Sequence, residues 1–225
     1  MRRRALGLLA FAGVLAASCQ QPALAEDVMA TPEAAVQARE APGKKVAIFA
    51  GGCFWGVEGV FSHLKGVTSV VSGYHGGNRR DAAYETVGTG RTGHAEAVRV
   101  VYDPAVIRYD QLLRVFFAVA TNPTQLNYQG PDHGTQYRNA LVPMDREQTR
   151  VAAGYLAQLR RLDLWGKPIV TTVEPYQAFY PAEAYHQDFM VNNPDHGYIK
   201  RWDKPKVAAL RRMFPDLYKI TFTRN

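Results

Sequence analysis

Apolar positions recur along this chain with two alternating periods, and the changes of period divide it into elements. Lys45 to Ala50 is a short apolar run halted by Gly51-Gly52, which predicts a buried strand. From Cys53 onward Trp55, Val60, Phe61 and Leu64 fall on one side of a helix that ends near Gly66. Val67 to Tyr74 predicts a second strand, residues 75–93 a glycine-rich loop, and Ala95 to Asp103 a third strand. Tyr109 to Ala120 is expected as a helix with Leu112, Leu113, Phe116 and Phe117 inward, and residues 121–136 as a long loop. Further on come a strand at Tyr137 to Val142 and a helix from the capping-box pair Asp145 and Gln148 to about Leu162. A strand at Ile169 to Glu174 and helices near 182–192 and 204–214 complete the series. There is no internal repeat, and the elements lack a regular βαβ rhythm. The expectation is therefore an α+β fold, a single two-layer mixed α/β domain, rather than a doubly wound sheet.

The first 25 residues break this pattern. Arg2, Arg3 and Arg4 precede a short apolar stretch from Ala5 to Ala17, too short for a stable membrane span, so residues 1–25 read as a bacterial export signal. Two endings compete. Ala23-Leu24-Ala25 suits ordinary cleavage before Glu26, whereas Leu15-Ala16-Ala17-Ser18-Cys19 resembles a lipobox, with residues 1–18 removed and Cys19 lipidated. Either way the expected location is the periplasm, soluble or lipid-anchored, with the membrane touched only through that anchor. Residues 26–43 are small, polar and proline-punctuated, and read as a linker to a domain spanning 44–225. Without the leader the balance is 24 basic against 20 acidic residues, or +4, too mild to argue for nucleic acid.

The cysteine count changes the picture most. With Cys19 removed or lipidated, Cys53 is the only thiol left, and a lone thiol in an oxidising compartment cannot form an internal staple. Its place between Gly51-Gly52 and a helix start gives a reason to ionise, because free backbone N–H groups and the helix dipole favour a thiolate. The same junction is also plain architecture. On the strand from Ala95, Glu96 shares a face with Val98, Val100 and Tyr102, opposite Arg99. A carboxyl on that apolar face would have its pKa raised and could act as a general acid; one on a frayed strand end would be an ordinary surface acid. Phe54, Trp55, Tyr84 and Tyr137, with Asp132, supply rings for a methyl group and a polarisable sulfur and hydroxyls for a polar oxygen. Each ring is equally suited to core packing.

GGCFWGVEGVF, GTGRTGHAEAVRVVYDP and DHGTQYR resemble the signature segments of the peptide methionine sulfoxide reductase A family, in order, from about Lys45 to about Pro194. The resemblance implies that family's own α+β fold and thiol-dependent reduction of methionine S-sulfoxide, free or in proteins. It implies Cys53 as nucleophile, Glu96 as acid, Tyr84, Tyr137 and Asp132 as partners, and Phe54 and Trp55 as the methyl pocket. No metal or organic cofactor is implied. Many family members carry resolving cysteines; here none follows Cys53, and the C-terminal segment is rich in lysine and arginine. This resembles the single-cysteine branch, in which an external thioredoxin-like or glutaredoxin-like thiol resolves the Cys53 sulfenic acid. The rival readings are a cysteine hydrolase using His94 or His186, and a non-catalytic binder of oxidised methionine. Gly88 to Gly93 fits the GxGxxG string but has a strand-like segment after it, and His94-Ala95-Glu96 lacks the cysteine half of a zinc deaminase site.

Overall fold

A computed structural model describes residues 28–225. The expected export signal, Cys19 and the first two linker residues lie outside the described part. In chain order the elements are β1 (Lys45–Gly51), α1 (Phe54–Ser62), β2 (Val67–His75), α2 (Tyr84–Val87) and β3 (Ala95–Tyr102). There follow α3 (Tyr109–Val115), a two-residue ribbon of β4 (Tyr128–Gln129) and β5 (Asp132–His133), β6 (Asn139–Val142) and α4 (Arg146–Leu162). The chain closes with β7 (Thr172–Val173), β8 (Phe179–Pro181), α5 (Phe189–Asn192) and α6 (Lys204–Met213).

Six strands make one sheet in the order β7-β6-β1-β3-β2-β8, antiparallel at every join except β6 to β7. One face carries Phe49, Val70, Tyr74, Val98, Val100 and Tyr102, and α1, α3, α4 and α6 all press apolar side chains into that single core. Phe49 stacks on Phe61 of α1 at 4.7 Å and meets Phe116 at 5.3 Å, so β1 is keyed to two helical segments through one ring. The other face holds a smaller cluster of Ile48, Ala50, Ala95, Ala97, Ala140 and Val142, with Phe179 against it. The mixed sheet with its helical layer is the α+β arrangement the periodicity predicts.

Several boundaries moved. α3 runs on through a π-turn, Phe116–Ala120. The expected strand at Tyr137 begins at Asn139, because Thr135–Tyr137 forms a 3-10 turn. Of Ile169 to Glu174 only two residues pair in the sheet; the Val170 N–H goes to the Pro123 carbonyl instead, at 2.8 Å. The helix expected at 182–192 is cut by Asp188, whose φ of 53° no helix accommodates, leaving a 3-10 turn at Ala184–His186 and then α5. The capping box at α4 is half formed. Asp145 accepts from Gln148 N at 2.7 Å, but the Gln148 carbonyl turns to Met144 N and its amide to Val46 O.

Residues 28–43 lack regular structure, as expected, yet they are no free spacer. Ala38 N donates to Asp110 at 2.9 Å, the Tyr155 hydroxyl donates to Pro32 O, and Glu40 accepts from Tyr109 N and from the Tyr102 hydroxyl. Ala34 and Ala38 are buried in the main core. The segment is a strap laid across α3 and α4.

Candidate active site

The first turn of α1 is where the chain spends its glycines. Gly52 has φ +91°, a region that favours glycine, and a Cβ there would sit 2.5 Å from the Gln129 side chain. A Cβ on Gly51 would strike the Phe116 ring at 2.7 Å. These two residues let the chain leave β1 and enter α1 sharply, with Cys53 at the N-cap and its side chain buried.

Glu96, the second residue of β3, comes up beneath this turn. It is 3% exposed and its Oε2 accepts the Phe54 N–H at 3.0 Å. Burial pushes its carboxyl up to about 8; the Phe54 hydrogen bond opposes the rise, while Asp132 and Asp203 add to it. Glu96 is therefore a protonated acid at neutral pH. Val98, Val100 and Tyr102 are buried and Arg99 half-buried as the alternation predicts, but Ala95 and Ala97 on the opposite face are buried too, in the cluster against Phe179, so both faces of β3 are dry beside Glu96.

Cys53 departs from expectation. Burial, and after it the charges of Glu96, Asp203 and Asp132, hold its thiol well above the ordinary value, against the pull of a hydrogen bond from the Trp55 N–H. At rest the sulfur is a neutral thiol, not the thiolate that its place at a helix N-terminus suggests.

Tyr84, Tyr137 and Asp132 converge on the same point from separate segments. Tyr84 begins α2, where its N–H is fixed by Glu183 at 2.9 Å; a second Glu183 oxygen accepts from the Tyr74 hydroxyl. Tyr137 ends the 3-10 turn after β5. That turn is stitched to the glycine loop by Thr135 on Gly90 O and Gln136 on Gly88 O. Burial and then the Glu96 charge raise both phenols, Tyr84 to about 12, so both stay hydrogen-bond donors. Asp132 accepts from the Tyr198 hydroxyl, and burial raises its carboxyl while that bond, Lys206 and His133 pull it down.

Phe54 is 1% exposed and packs against Tyr74 and His186, so it belongs to the core as much as to any pocket. Trp55 is half-buried, stacked on Phe189 at 3.7 Å, with its edge toward Tyr198. Its indole N–H donates to His186 Nδ1 at 3.1 Å. His94 has both ring nitrogens engaged, with Gly77 N and Asn78 O. Neither histidine bonds the Cys53 sulfur, so the hydrolase reading has no base. The GxGxxG glycines follow α2 and lead into β3, the reverse of a dinucleotide site. Among the described residues no three potential ligands are grouped to hold a metal ion.

Sequence reasoning missed Glu183, Tyr198 and Asp203. Asp203 lies at the foot of α6 and packs on Gly56, where a Cβ would stand 2.3 Å from its Oδ1. Asp-Lys-Pro reads as a helix cap, yet the Asp203 side chain makes no capping bond. The signal was present and pointed to the wrong job.

Residues 45–217 match the family described as peptide methionine sulfoxide reductase. Peptide methionine sulfoxide reductase MsrA 2 of Mesorhizobium japonicum is 58% identical over 180 residues, covering 80% of this chain and 92% of that protein. The MsrA of Deinococcus radiodurans is 52% identical over 170 residues, 76% of this chain and 82% of its own length. Among solved structures, reduced Mxr1 of Saccharomyces cerevisiae aligns with TM-score 0.60 at 32% identity, over 72% of this chain and 91% of that one. Methionine sulfoxide reductase A of Corynebacterium diphtheriae aligns with TM-score 0.58 at 34% identity, over 68% and 77%.

Proposed function

The chain belongs to the peptide methionine sulfoxide reductase family, and we propose that it reduces methionine S-sulfoxide, free or in oxidised proteins, at Cys53. The observation that carries this reading is Glu96: a buried, protonated carboxyl held by the first N–H of the helix that Cys53 caps. Sulfoxide oxygen is a poor leaving group, and an acid poised near neutral pH is what its departure requires. The substrate's methyl rests against the Phe54 and Trp55 rings, and its oxygen faces Glu96, Tyr84 and Tyr137. Cys53 sulfur attacks the sulfoxide sulfur as Glu96 protonates the oxygen, and the thiol's own proton restores the carboxyl. The protonated oxygen then passes from the substrate sulfur to the Cys53 sulfur as the S–O bond and the newly made S–S bond both break, so methionine leaves with its electron pair and Cys53 carries the hydroxyl as sulfenic acid.

No cysteine follows Cys53 in the sequence, so resolution falls to an outside thiol, thioredoxin-like or glutaredoxin-like. Attack on the sulfenic acid forms a mixed disulfide and water; a second thiol frees Cys53. We place the enzyme in an exported, periplasmic setting, on the leader read at residues 1–25, and the mature protein's intact mass discriminates cleavage before Glu26 from lipidation at Cys19. The direct test is Cys53→Ser. Wild-type protein without reductant should release about one methionine per site, and the variant none; appreciable release by the variant would sink the assignment.

A further inference from the structure

One buried acid at this site has no role in the steps above. Asp203 is fully buried, and neither of its oxygens has a hydrogen-bond partner among the described residues. A carboxyl stripped of water and given no donor is costly, and such groups persist where a site uses them. Asp203 ends the π-turn Ile199–Asp203, one residue ahead of α6, and rests on the Gly56 backbone in the first turn of α1. Gly56 is what lets it approach so closely. Glu96 reaches the same turn from the sheet, Asp203 from the helix layer.

We propose that Asp203 is a charge-setting residue acting through Cys53: its carboxylate, sealed against the first turn of α1, adds to burial and to Glu96 in keeping the Cys53 sulfur in its neutral form. The groups that face it are Cys53 on α1, Glu96 on β3, Asp132 on β5, and Tyr198 and Lys206 on its own segment. Lys206 favours its ionised form, while burial and then Asp132 oppose it, which leaves its carboxyl pushed up to about 7. Across neutral pH its negative charge therefore grows just where a thiolate would otherwise form.

The consequence concerns oxidants. A thiolate attacks hydrogen peroxide, the O–O bond breaks, sulfur gains a hydroxyl, and the departing hydroxide takes a proton to become water. A second peroxide carries sulfenic to sulfinic acid, which thiols do not reverse. With no cysteine after Cys53 to capture the sulfenic acid as an internal disulfide, keeping the thiolate scarce is the protection left to this chain.

The inference rests on Cys53 as the reacting thiol, but its test needs no methionine sulfoxide and so fails separately from the activity. Alkylation of Cys53 by iodoacetamide is followed against pH in wild type, Asp203→Asn and Asp203→Ser. If the full charge is worth about one unit in the thiol pKa, removing it should raise the rate about threefold at pH 7.5, where Asp203 is only partly ionised, and roughly tenfold by pH 9. Peroxide should convert Cys53 to sulfinic acid faster by a similar factor, read by mass spectrometry. Asp195→Asn, which removes an exposed acid of the same segment, should change neither rate. An unchanged or slower rate in both Asp203 variants overturns the proposal. Should neither variant fold, the wild-type profile decides. Ionisation of Asp203 should hold the slope of log rate against pH below one around pH 7, and a straight unit slope there overturns the assignment.

Discussion

Replacing Glu96 by glutamine removes the one acidic proton and little else. The glutamine carbonyl can still accept the Phe54 N–H that Glu96 accepts at 3.0 Å, and the volume at this fully packed position is conserved. Binding and folding should therefore change little, whereas proton delivery to the sulfoxide oxygen is lost. General acid catalysis contributes about 10²–10⁴ in rate, or about 2.7–5.4 kcal/mol at 1.36 kcal/mol per decade. The interaction belongs to the transition state, so kcat and kcat/KM should fall together. The assay is single-turnover release of methionine under rapid quench, with enzyme in excess and no reductant, so that the thiol half-reaction cannot mask the chemistry. The pH profile adds a second signature. The acid works in its protonated form, whose folded value is about 8, so the wild-type rate should fall above about pH 8 and the variant should lack that limb. A Glu96→Gln rate within about threefold of wild type would refute the role assigned to this carboxyl.

Other consequences are open to measurement. Glu58 is buried on α1 away from the chemistry, with burial, ahead of the Asp188 charge, raising it from 4.5 to about 8. Its folded value lies above the unfolded one, so its favourable contribution is complete below about pH 4.5 and is lost as pH rises toward about 8. Glu58→Gln should thus stabilise the protein by on the order of 4 kcal/mol more at pH 8.5 than at pH 4.5, a Tm difference of roughly 10 °C; equal shifts at both pH values would contradict this. Tyr198→Phe removes the donor to Asp132 while keeping the ring against Trp55, and should lower kcat/KM about fivefold, one net hydrogen bond; an unchanged value would detach Tyr198 from the site. Glu40→Ala strips the strap of its bonds to Tyr102 and Tyr109 and should cost about 1–3 kcal/mol by thermal or urea unfolding. A variant as stable as wild type would mean the strap is dispensable.

Much of the site was legible in sequence because its parts obey short-range rules. Glu96 could be placed by counting two residues along β3, since the alternation that buries Val98 and Val100 buries it too. Asp145 declared the start of α4 through its own side chain. What failed depends on partners far away in the chain. β8 pairs with β2 across more than a hundred residues, and Val170 abandons the sheet for Pro123. Asp203 and Tyr198 sit in a segment whose lysines and arginines suggest only a solvated helix, and nothing local says that its acid turns inward onto Gly56.

Cys53 shows how a sound local rule is overturned by magnitude. A helix N-terminus favours an adjacent negative charge by typically 0.3–1 kcal/mol, and up to about 2 in partly buried geometry. Removing an ionisable group wholly from water shifts its pKa by as much as 3–5 units, several times that energy, always against the charged form. At Cys53 three acids push the same way as burial, and the counterweight comes from the Trp55 N–H in the first turn of the helix. The glycine turn that opens α1 therefore does not make a thiolate. It brings a neutral sulfur beside a neutral acid, Glu96, so that the resting pair already holds both protons that reduction of a sulfoxide moves. Reactivity then depends on the substrate's own S–O dipole entering between them, and on which of the surrounding carboxyls carries charge when it does.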